Sequence, residues 1–195
     1  AAVESSVQLG RLDIRVGDLF HKSSQVPFSI QLKADYSGTK LVLDQFRLVF
    51  HNAEMTAKGT MDSELSSQNK IDVQTQPIAL APWSELIPML KSYELSGEAQ
   101  LAAQMQGSPS SPAYSAHFEL KNASAAAPHL KAKPQVQLDL RVTTDRIDHF
   151  VLEFAAPGNR FNVTGSVQSF DAPQVKLVFD SPGMDLDQLL IPSPA

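Results

Sequence analysis

VQLDLRVTTDRIDHFVLEF, residues 136–154, is the stretch whose rhythm decides the fold. Val136, Leu138, Leu140 and Val142 alternate with polar residues, and Phe150, Leu152 and Phe154 repeat the pattern. In a strand every second side chain points to the same side, so this rhythm builds one apolar face and one wet face. Parallel strands are buried on both faces and read as unbroken apolar runs; alternation therefore predicts antiparallel sheet. Working outward, the same period runs through Phe28, Ile30, Leu32, Ala34 and Tyr36, and through Phe46, Leu48 and Phe50. It returns in Tyr114, Ala116, Phe118 and Leu120, in Phe161, Val163 and Val167, and in Val175, Leu177 and Phe179. Turn residues separate the runs at Tyr36-Ser37-Gly38-Thr39, Pro157-Gly158-Asn159 and Asp171-Ala172-Pro173. The expectation is roughly a dozen strands of about 7–11 residues, longer than usual.

Two segments leave this period. Residues 82–91 (PWSELIPMLK) and 184–191 (MDLDQLLI) place apolar residues at helical spacing. Ser84 caps the first and Asp185 or Asp187 the second, while Pro88 and Pro192 keep both short. These segments also expose a repeat. LDQFRLVF (43–50) matches IDHFVLEF (147–154) at an offset of 104 residues, and WSELIP (83–88) matches DQLLIP (187–192) at the same offset. MTAKGTM (55–61) stands opposite FNVTGSV (161–167), displaced by two residues in the preceding turn, and SIQLKADY (29–36) parallels VQLDLRV (136–142) in pattern. Shared offset and shared order predict one β unit, residues 1–195, made of two repeats at about 1–93 and 94–192.

Composition narrows the function classes. The chain has 195 residues, 43% of them hydrophobic, a net charge of −5 and no Cys. The charge leaves no basic footprint for nucleic acid, and the missing Cys removes disulfides, thiolate metal sites and thiol catalysis together. No apolar run approaches the roughly 20 residues a membrane helix needs. The start AAVESSVQLG and the tail IPSPA read as the borders of a piece of a longer chain.

No catalytic constellation emerges. His21, His51, His117, His129 and His149 form no ligand spacing, and His117 and His149 fall on the polar face of their strands. Asp185 and Asp187 read as helix caps rather than an acid/base pair. Asn122-Ala123-Ser124 and Asn162-Val163-Thr164 fit a glycosylation sequon by coincidence. The expectation is no enzyme, no metal and no cofactor. Trp83, beside Pro82, is expected to plug one end of the apolar interior.

A cadence across the second half carries a resemblance. Ser181-Pro182-Gly183-Met184-Asp185-Leu186-Asp187 closes on Leu190-Ile191-Pro192, while Leu95-Ser96-Gly97 opens a strand that ends at Gly107. Phe118-Glu119-Leu120-Lys121-Asn122-Ala123 follows, then a strand from Pro134 to Val142, then a strand pair holding Gly165. Residues 71–192 thereby resemble the AsmA-like family of bacterial envelope proteins (the AsmA and TamB type), best over 94–192. The first copy departs from the cadence, with Leu80-Ala81-Pro82-Trp83 at the helix start. The resemblance implies a long, curved antiparallel sheet, a repeating β-groove, with two short helices and an apolar lining. It further implies a periplasmic segment whose parent chain is anchored in the inner membrane. Such a segment binds phospholipid or other acyl-chain lipid and supports lipid transport between inner and outer membrane. The expected lining is Phe28, Ile30, Leu32, Phe46, Leu48, Phe50, Tyr114, Phe118, Val136, Leu138, Leu140, Phe150, Leu152, Phe154, Phe161, Val163, Leu177 and Phe179.

The pattern by itself leaves a second reading open. A one-sided sheet must cover its apolar face, and a structural or adhesive β-sandwich would do so with a second sheet and no ligand.

Overall fold

The structure, a computed structural model, describes residues 1–65, 69–108, 110–127 and 129–191. Fourteen strands are described: β1 (Ala2–Gln8), β2 (Ile14–Val16), β3 (Phe20–Lys22), β4 (Phe28–Ser37), β5 (Lys40–Phe50), β6 (Ala53–Asp62), β7 (Lys70–Thr75), β8 (Ile78–Ala79), β9 (Ser96–Ser108), β10 (Ser111–Ser124), β11 (Gln135–Thr143), β12 (Ile147–Ala156), β13 (Asn159–Val167) and β14 (Val175–Met184). Eleven of them form one antiparallel sheet in the order β1-β4-β5-β6-β7-β9-β10-β11-β12-β13-β14, with β8 added beside β9. β2 and β3 form a separate hairpin. The sheet is long and curved and does not close: β1 and β14 are its two edges. Strand lengths spread wider than the expected range, from two residues in β8 to fourteen in β10.

The two halves share a register device. Between Leu43 and Phe46 the β5–β6 ladder shifts at Asp44-Gln45, and between Ile147 and Phe150 the β12–β13 ladder shifts at Asp148-His149. Each bulge places two polar residues between inward apolar ones and bends the strand at the same point of its hairpin. One strand later, Gly59 faces Ile71 and Gly165 faces Leu177. Both glycines serve a close approach: a Cβ on Gly59 would overlap the Lys70 carbonyl oxygen, and one on Gly165 would lie 2.6 Å from the Lys176 oxygen.

All the short non-strand elements gather at one end of the strands. Residues 82–91 do not form a single helix. Two 3-10 turns, Ala81–Glu85 and Pro88–Tyr93, meet at Ile87-Pro88. Ser84 does not cap them: its hydroxyl donates to the Ala81 carbonyl from inside the first turn. The second segment is one α-helical turn, α1 (Leu186–Leu189), and there Asp185 is the N-cap, accepting from the Asp187 and Gln188 amides. Pro192 lies outside the described residues. Asn159, 3% exposed, clasps α1 to the β12–β13 turn by bonding both the amide and the carbonyl of Asp185 at 2.8 Å.

At the same end the β2–β3 hairpin folds back. Phe20 stacks 6.4 Å from Phe50, which also meets Phe28 at 5.4 Å and Trp83 at 6.1 Å. The His21 amide donates to the Leu86 carbonyl, and Leu86 is fully buried. Lys22, also fully buried, holds the hairpin base by donating to the carbonyls of Gly10, Leu12 and Ser23. An ammonium removed from water is tolerable only when its donors are satisfied, and three carbonyls do that.

Candidate functional site

The cross-strand registers place every expected lining residue on one face. One row runs Ile30, Leu48, Met55, Thr75 on its left half and Phe118, Leu140, Phe150, Gly165, Leu177 on its right. A second runs Leu120, Leu138, Leu152, Val163, Phe179, and a third joins Val136, Phe154 and Phe161. Phe154 stacks on Phe161 at 4.7 Å, and Phe161 on Phe179 at 5.6 Å.

Among the described residues nothing of comparable size lies over this face. The only other sheet among the described residues is the β2–β3 hairpin. Just six apolar residues are buried among the described ones: Val26, Ala34, Ala57, Leu86, Ala123 and Leu189. The lining residues are half-buried across the middle strands and become exposed at Tyr114 and on β14, where Leu177 and Phe179 reach 63% and 61%. An apolar face of this extent on one layer marks a surface that meets something apolar. The closed sandwich weighed above needs a second large sheet, which is not present among the described residues.

The enclosed volume sits elsewhere than the sequence suggested. A concavity of about 740 Å³ spans β5 to β12 along the row Phe46, Ala57, Val73, Ala103, Ala116 and Val142. The rest of its lining is mostly polar, with Asp44, Lys58, Asp72, His117, Arg141 and Asp148 among it, and Phe46 is its one residue from the expected lining. The polar neighbours of that row line the concavity and its apolar neighbours Leu48, Met55, Phe118 and Leu140 do not, so lining and concavity do not coincide.

The polar face carries the ionic groups. Arg47 donates through Nε and Nη2 to both oxygens of Glu54, each at 2.8 Å. This hydrogen bonding holds the Glu54 carboxyl below its usual range and raises Arg47. The Asp62 carboxyl is lowered chiefly by the amides of Glu64 and Leu65. His117, Glu119 and Asp139 bring one ligand-type atom each within 4.8 Å of one another, a set that spacing along the chain did not reveal because Asp139 comes from a neighbouring strand. Asp139 already has cationic or donor neighbours: His117 at 3.0 Å, Arg141 at 3.6 Å and His149 at 4.0 Å. The arrangement works as an ion-pair cluster on a solvated face.

Among the described residues no helix is long and apolar enough to cross a membrane. No family model, curated protein or solved structure matches the chain.

Proposed function

We propose that the curved sheet is an apolar trough that binds acyl chains of phospholipid or similar lipid, as the segment of an AsmA-like envelope protein would. The single observation that carries this reading is the apolar face, continuous over the sheet and uncovered among the described residues, of which six apolar ones are buried. In this reading a lipid tail completes the core. Each methylene taken from water contributes about 0.8 kcal/mol, so a tail of about sixteen carbons contributes on the order of 10 kcal/mol before ordering costs. The flexible thioethers of Met55 and Met105 on the same face suit a ligand of variable shape. Phe20, Phe50, Trp83 and Leu86 close the end of the trough where the β2–β3 hairpin folds back, so a tail lies across the strands or enters from the opposite end, at the β4–β5 turn. On the periplasm and inner-membrane anchorage the reading follows the family resemblance.

The test is mass spectrometry of lipid retained by the purified chain, with Leu152→Glu beside the wild type. Leu152 lies on β12, the third strand from the β14 edge, between Leu138 and Val163, and is half-buried with no layer above it among the described residues. The expected result is bound lipid in the wild type, none in the variant, and a cooperative melting transition in both. A charge in a sealed core would cost several kcal/mol and unfold the protein. An unfolded variant, or a folded one that keeps its lipid, would sink the trough.

A further inference from the structure

Among the described residues β14 stands at one edge of the large sheet and, like β1 at the other edge, is exposed along nearly all of its length. Its first six residues, VKLVFD (175–180), are exposed on both faces: Val175 is 59% exposed, Leu177 63%, Val178 50% and Phe179 61%. An edge of this kind offers a row of backbone groups to another strand, and soluble proteins guard such edges with charge, proline or a bulge. Here the bulge comes late. The ladder to β13 stays regular from Val175 to Asp180 and shifts only beyond it, at residues 181–182.

The two charges within VKLVFD are placed symmetrically. Lys176 and Asp180 lie on the polar face, two residues either side of Val178, and neither forms an ion pair among the described residues. We propose that β14 pairs antiparallel with β14 of a second copy of this chain, in the register centred on Val178. In that register Lys176 of each copy opposes Asp180 of the other, Leu177 opposes Phe179, and Val178 opposes Val178. Directly opposed residues share a face of an antiparallel pair, so the polar face gains two ion pairs and the apolar face stays continuous.

Other registers that keep the faces matched lose this. Centring on Lys176 or on Asp180 sets like charges against each other, and centring on Leu177 or Phe179 leaves both charges without a partner. The opposite edge does not offer the same match, because β1 carries the single charge Glu4. The contact is isologous, so it closes at two copies. Six residues per strand make a small interface, and the pair is accordingly weak and concentration-dependent.

The experiment is sedimentation velocity of the full chain across about two decades of concentration, with Lys176→Glu and Asp180→Lys alone and mixed. Wild type shifts from monomer to dimer as concentration rises. Each single variant turns both ion pairs into like-charge pairs and weakens dimerisation about tenfold or more. Mixed in equal amounts the two variants restore it, because each contact between positions 176 and 180 of the mixed pair again sets a carboxylate against an ammonium. Melting curves that match the wild type confirm that both variants are folded. A wild type that stays monomeric, variants that dimerise undiminished, a mixture that fails to recover, or species that grow past two copies would each overturn the pairing.

Discussion

The strand set β4–β7 and the strand set β11–β14 are built alike and finished differently. Both carry the two-residue bulge, the glycine that lets the next strand approach, and a short helical segment after the last strand. In the first set that segment lies under the β2–β3 hairpin, and Leu86 loses all contact with water. In the second, the matching residue of the WSELIP and DQLLIP motifs is Leu190, which remains 42% exposed. The second set ends in an open edge with Leu177 and Phe179 in solvent. Equal motifs thus reach unequal burial, because burial depends on what a neighbouring segment brings over them.

The largest test of this contrast is the pair of glycines. At Gly59 a new Cβ overlaps the Lys70 oxygen and lies 2.7 Å from the Ile71 Cα, all of it backbone. At Gly165 the Lys176 carbonyl oxygen stands farther off, at 2.6 Å, and the other close atom, the Leu177 Cδ2 at 2.5 Å, is on a side chain free to turn into solvent. Gly59→Ala should cost about 4 kcal/mol and Gly165→Ala about half as much, read by denaturant unfolding. Equal losses would mean that the β14 edge is as constrained as the interior.

Next comes the helical pair. Leu86→Ala should cost about 3 kcal/mol through the cavity it leaves, and Leu190→Ala less than about 1 kcal/mol. A large loss at Leu190 would show that the second end is sealed too.

The smallest effect concerns acid. The Arg47–Glu54 pair belongs to the first set alone, since Val151 takes the place of Arg47 in the second. Glu54 titrates below its unfolded value, so its contribution is present above the unfolded carboxylate range, about pH 4.3, and is lost as pH falls through the lowered value. Glu54→Gln should flatten the acid side of the Tm-against-pH curve and change neutral-pH stability by less than about 1 kcal/mol, since both groups are about one-third exposed. An unchanged acid slope would remove the pair from the account.

Much of this was legible along the chain. Strict alternation marked the interior strands, and the 104-residue offset marked positions that turned out to share a bulge, Asp44-Gln45 and Asp148-His149. β1 was missed because AVESSVQ spaces its apolar Val3 and Val7 too widely for a period to show. The helical spacing of 82–91 suggested one helix, but Pro88 lacks the amide that would continue it, and two 3-10 turns result.

The sequence by itself determined that Leu138, Leu152 and their like share one side of antiparallel strands, because a period of two is a local property of the backbone. Only the tertiary structure decided that this side stays uncovered, that Lys22 finds three carbonyls, and that β14 stands at an edge. Those outcomes depend on which distant segments pair and fold back, and alternation along a strand is the same whether or not a second layer arrives.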